Sequence, residues 1–165
     1  MKVLATDLDG TFYIENKLID GVADSYNELI QNNFKIIFTT NNSSKSPQAI
    51  CSNIEKLLSI RIDIDSVVTP LVVLSNYLLN KDINVYIYGE EELKKYIMSI
   101  SSVTKEIDES DLIIIGRKVR NNFSEIKNII NKVNSGFNVM AMNKDLTYPT
   151  EGGKYIPGNG EVINI

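Results

Sequence analysis

Short apolar runs alternate along the chain with stretches whose apolar positions recur every three or four residues, which predicts strands interleaved with helices. Residues 2–6 (KVLAT) read as a buried strand that stops at Asp7, and residues 34–39 (FKIIFT) as a second strand that runs into the polar stretch TNNSSKS. Between them, Val22, Tyr26, Leu29 and Ile30 share one face of a helix over 22–32. Ser46 followed by Pro47 is a cap and first-turn pair, and it opens a helix to about Ile60. A short strand over 65–69 and a helix from Pro70 to Leu79 complete this set.

A second set begins at Asn84. Residues 85–88 (VYIY) predict a strand ending at Gly89, and the acidic start at Glu90 suits the positive end of a helix dipole. Residues 111–115 (DLIII) predict a fully buried strand. Phe123, Ile126, Ile129, Ile130 and Val133 form an apolar helical stripe ended by Gly136, and 138–142 is a last strand. The tail NKDLTYPTEGGKYIPGNG is rich in Gly, Pro and Asn and reads as a long shaped loop. The sum is an α/β protein with mainly parallel sheets, divided near residues 80–84 into segments 1–82 and 83–165.

Composition narrows the chemistry. The chain has 165 residues, 43% apolar and 23% charged, enough for one domain or one and a half with a real core. Its 17 basic and 21 acidic residues leave a net charge of −4, with no basic stripe to neutralise nucleic-acid phosphates. Cys51 is the only cysteine, so no internal disulfide forms, and a reducing cytoplasm fits best. The start MKVLATDLDG has neither the form of a signal peptide nor that of a membrane anchor. There is no histidine, which excludes His-based triads, His general bases and His-containing zinc sites. Any metal would be held by oxygen, which points to magnesium or calcium.

Two stretches carry candidate chemistry. In DLDGT, Asp7 and Asp9 lie two residues apart at the carboxyl end of the first strand, where open α/β sheets bind ligands. One carboxylate of such a pair can attack while the other moves protons. Read alone, the same residues serve equally well as an exposed turn. In TTNNSSKS, hydroxyl and amide side chains precede a helix N-terminus, a ready anion site with Thr40 and Asn41 as donors; read alone, it is a polar loop with Ser46 as a cap. Together they close two neighbouring strands at one edge, so both would face one site.

With these residues in order, the chain resembles the haloacid dehalogenase (HAD) superfamily of aspartate-nucleophile phosphatases. DLDGT is similar to its first motif and FTTNN to its second. TNNSSKS, the segment YIYGEEEL from Tyr86 to Leu93, and NKDLTYPTEGG followed by PGNG are similar to the NagD-like or p-nitrophenylphosphatase-like subfamily with a type IIA cap, so the resemblance spans the whole chain. It implies a partial Rossmann-like core with an α/β cap. It implies that Asp7 is the nucleophile that forms an aspartyl-phosphate, and that Asp9 is the general acid and base. Magnesium would be held by the Asp7 carboxylate and the Asp9 carbonyl. Thr40, Asn41 and Asn42 would bind phosphate, residues 11–18 would form a flap, and Asp145 and Tyr148 would select the substrate. That substrate would be a small phosphorylated metabolite: a sugar phosphate, a nucleotide, phosphoglycolate or pyridoxal phosphate.

The chain departs from the pattern at Lys144, where the family usually has proline, and after PGNG, where the second half of the core would supply a lysine and a further acidic motif. The resemblance therefore implies half a core plus a nearly complete cap, with an apolar sheet edge. One reading is an active phosphatase, from which a phosphotransferase is not separated. The other is an inactive module that binds a phosphorylated ligand or a protein partner. A homodimer is compatible with the open edge. Cys51, Tyr86 and Tyr88 read as packing residues, and Glu90 to Glu92 and Arg117 to Arg120 as solvated surface.

Overall fold

A computed structural model of the chain describes residues 2–118, 120–150 and 154–163, and within it the chain divides into two compact units, 1–72 and 73–165. The first unit opens with strand β1 (Lys2–Asp7), a small hairpin of β2 (Tyr13–Ile14) and β3 (Lys17–Leu18), and helix α1 (Val22–Gln31). Strand β4 (Phe34–Thr39), helix α2 (Pro47–Leu58) and the two-residue strand β5 (Val67–Val68) follow. The strands β1, β4 and β5 form a parallel sheet in that order.

The core of this unit gathers Leu8, Phe12, Tyr13, Ile36, Phe38, Ile50, Cys51, Ile54 and Val67. Phe12 meets Phe38 edge to face, with centroids 5.3 Å apart. Helix α1 covers it with the half-buried Val22, Tyr26 and Leu29, while Ile30 turns out to 44% exposure. The expectation of a buried first strand fails for a topological reason. Among the described residues β1 pairs only with β4, and Val3 is 60% exposed.

Helix α3 (Pro70–Leu78) leads into the second unit: β6 (Asn84–Tyr88), α4 (Glu91–Met98), β7 (Ser102–Thr104), β8 (Leu112–Ile115), α5 (Phe123–Asn134) and β9 (Val139–Ala141). Its sheet is wholly parallel in the order β7-β6-β8-β9. Residues 112–115 are all buried, as a continuous apolar run flanked by helices requires. Ile126 and Ile129 of α5 pack on Tyr88, Ile113 and Ile115. Phe123 departs from the predicted stripe and is 81% exposed, because it is the first residue of the helix, directly after its cap Asn122.

The tail also departs from expectation. It contains a hairpin of β10 (Thr147–Thr150) and β11 (Lys154–Pro157) and the short helix α6 (Gly160–Ile163). No helix among the described residues is long and apolar enough to cross a membrane.

Candidate active site

The residues after β1 are organised by one buried side chain. Leu8 is wholly buried between Asp7 and Asp9, both exposed, so strand alternation turns the two carboxylates away from the core. The Leu8 carbonyl then accepts the backbone N–H groups of Phe12 at 2.8 Å and Tyr13 at 3.1 Å, closing a tight loop. Gly10 sits in that loop at φ 81°, a conformation that disfavours any side chain; the space around it is open, so the need is conformational.

The second stretch arrives at the same edge through sheet register. Asp7 pairs with Thr39, each the last residue of its strand. The Thr39 hydroxyl donates to the Thr6 carbonyl at 3.0 Å and stitches the two ends together. One residue on, Thr40 is 8% exposed, and its hydroxyl donates to Asp9 Oδ2 at 3.3 Å while accepting the Asn42 N–H at 3.0 Å. The Asn42 side-chain oxygen accepts from the Ser44 N–H, the Ser44 hydroxyl and the Lys45 N–H at 3.0 to 3.1 Å, which bends the loop into helix α2. Ser46 caps that helix by accepting the Ala49 N–H at 3.2 Å.

Asp7, Asp9, Thr40, Asn41 and Asn42 thus all belong to one edge of the first unit. Asn41 is exposed. The carbonyl of the Asn42 side chain is engaged in shaping the loop, which leaves its NH₂ as the group able to meet an anion. Asp145 and Tyr148 belong to the second unit. Asp145 is exposed in a loop, and Tyr148 lies in β10 opposite Ile156, its side chain outside the described residues.

Sequence reasoning missed Tyr13. It is 5% exposed, and its phenol is pushed up to about 12, first by burial and then by the negative charge of Asp9; a hydrogen bond with Asn53 pulls the other way and Asp7 adds a smaller push. Burial and the neighbouring carboxylates therefore favour the neutral phenol of Tyr13. Its position four residues beyond Asp9 carries no periodic signal that would have singled it out.

Oxygen donors are what a magnesium site needs, and Asp7 and Asp9 offer them exposed at one strand end. Among the described residues no third acidic, histidine or cysteine side chain joins them into a metal-binding group. That donor set fits magnesium, which commonly takes one or two carboxylates and completes its shell with water and substrate phosphate.

Comparison with known proteins identifies the family and the fold. A family model described as haloacid dehalogenase-like hydrolase matches residues 4–101. The chain is 30% identical over 163 residues to an acid sugar phosphatase of Staphylococcus epidermidis, covering 96% of this chain and 61% of the relative. Among solved structures it is similar to a p-nitrophenyl phosphatase from Archaeoglobus fulgidus, at TM-score 0.85 and 22% identity, over 99% of this chain and 62% of that one. It is also similar to a glycerol phosphate phosphatase from Mycobacterium tuberculosis in complex with magnesium, at TM-score 0.78 and 26% identity, over 98% of this chain and 49% of that one. The chain spans about three fifths of the length of the curated relatives it matches.

Proposed function

The chain belongs to the haloacid dehalogenase-like hydrolases, and from that premise we propose that it carries the acid–base and phosphate-binding half of a phosphomonoesterase site for a small phosphorylated metabolite. The observation that carries this reading is the meeting of Asp7, Asp9 and Thr40 at one sheet edge, with the Thr40 hydroxyl on Asp9. In the proposed reaction a carboxylate oxygen of Asp7 attacks phosphorus and the ester P–O bond breaks. The leaving oxygen takes a proton from Asp9. Asp9 then accepts a proton from water, whose oxygen attacks the phosphorus of the aspartyl-phosphate, frees Asp7 and yields inorganic phosphate. Thr40, Asn41 and the Asn42 NH₂ would hold the phosphate oxygens. Magnesium, held by the Asp7 carboxylate and the Asp9 carbonyl, would offset the charge of carboxylate and phosphate.

Within this reading, 1–82 is the half-core and 83–165 the cap that reads the leaving group through Asp145 and Tyr148. Sugar and polyol phosphates lead the substrate list because the similar proteins are named acid sugar phosphatase and glycerol phosphate phosphatase. The single cysteine favours a reducing cytoplasm, and a second copy at the β1 edge is the proposed form of any homodimer.

The test is hydrolysis of p-nitrophenyl phosphate with and without magnesium, beside Asp7→Asn. Magnesium-dependent turnover that falls by about 1,000-fold or more in the variant is expected, the scale of losing a nucleophile. Equal turnover in both proteins overturns the assignment of Asp7. A second reading, a module that binds phosphorylated ligands without turnover, is favoured by the lack of a third acidic partner beside Asp7 and Asp9 among the described residues. Phosphate binding with no hydrolysis by a folded sample selects it.

A further inference from the structure

The tail segment Gly158-Asn159-Gly160 is built against the loop that carries Asp145. The Gly158 N–H donates to the Leu146 carbonyl at 2.7 Å, and the Gly160 N–H donates to the Asp145 carbonyl at 3.0 Å. Two donors separated by one residue therefore grip two consecutive carbonyls. The α-carbons come equally close. A Cβ on Gly158 would stand 2.1 Å from the Asp145 carbonyl oxygen, and one on Gly160 would stand 2.5 Å from the Lys144 carbonyl oxygen. Both obstacles are main-chain atoms, which cannot swing aside as the end of a side chain can. Neither glycine has a positive φ, so the requirement is proximity and not backbone conformation. Asn159, between them, is 3% exposed, and its side-chain nitrogen is buried without a hydrogen-bond partner. Burying an unpaired donor costs free energy, so the segment holds this position against a local penalty.

Asp145 and Leu146 themselves are exposed, with Leu146 at 53%. An exposed loop held only by its own contacts is mobile. This one is held main chain to main chain, with Asp145 and Leu146 left exposed. We propose that Gly158 and Gly160 are positioning residues that fix where the Asp145 carboxylate is presented, and so set how the leaving group of a polyol or sugar phosphate is recognised. The inference rests on the reading of Asp145 as a substrate-selecting residue. The clamp acts on leaving-group recognition alone; phosphate binding belongs to the first unit.

The test is a cycle on the full chain: wild type, Gly158→Ala, Asp145→Asn and the double variant, with magnesium and glycerol phosphate or p-nitrophenyl phosphate. Gly158→Ala is expected to raise KM for glycerol phosphate about 10-fold with little change in kcat, and to speed amide hydrogen exchange at residues 158 and 160. In the Asp145→Asn background the same substitution is expected to change KM little, because its effect passes through Asp145. Gly160→Ala serves where Gly158→Ala fails to fold, with helix α5 protection as the control for the unit's core. An equal rise in KM in both backgrounds makes the glycines merely structural and overturns the proposal, as does unchanged exchange at residues 158 and 160. An Asp145→Asn variant indistinguishable from wild type overturns the substrate reading of Asp145 itself.

Discussion

Tyr13 shows what a single residue contributes at the edge where the carboxylates meet. Its phenol is favoured neutral in the fold, raised from 10 to about 12 by burial and then Asp9. A raised pKa in the folded state contributes stability that is fully present below pH 10 and is lost as pH rises through about 12. Tyr13→Phe is therefore expected to lose stability less steeply than wild type across that window in urea unfolding, and to remove one late-ionising phenol from an absorbance titration. Tyr26, Tyr86 and Tyr88 are raised by burial too, so the comparison must be with the variant and not with free tyrosine. At this scale the carboxylate pair was legible, since Asp-x-Asp after an apolar run states its own placement. The bond from Thr40 to Asp9 was not, because it depends on the register that pairs Asp7 with Thr39 across 31 intervening residues of chain. Asn42 was expected to bind phosphate only through the family resemblance, and the fold reveals that its side-chain carbonyl is spent on Ser44 and Lys45.

Elements with local signals were the readable ones. Ser46-Pro47 starts α2 where expected, because a cap and a first-turn proline act within three residues of each other. Ser46→Ala is expected to lower stability by about 1 kcal/mol, read as a shift of the urea midpoint without a change in slope. The hairpin β10–β11 was hidden by Pro149 and Pro157, residues that argue against a strand in the middle of a sheet. Among the described residues these two strands pair only with each other, so each has a free edge, where a proline is tolerated. Strand β7 was missed because Ser102–Thr104 is three residues long with one apolar side chain, too short for alternation to register.

On the scale of the molecule, the two sheets meet their surroundings differently. In the second unit β6 and β8 are flanked on both sides, and their side chains are almost wholly buried. In the first, β1 stands at an edge with Val3 60% exposed, beside an apolar cavity of about 130 Å³ lined by Leu4, Phe12, Tyr26, Leu29 and Ile36 among others. An exposed apolar edge strand is a template for pairing with another chain. Val3→Lys is expected to reduce concentration-dependent self-association in light scattering, and a wild type that is already monodisperse at micromolar concentration removes the premise. The parallel pairing has a further consequence, in the order of synthesis. Lys2 finds its partner only when Phe34 has been made, and a helix must form between them to bring the strands side by side. At about 5–20 residues per second, β1 leaves the ribosome seconds before β4 can receive it. During that interval its apolar face is open to chaperones, and a slow codon between the two strands would lengthen the exposure without changing a single residue of the product.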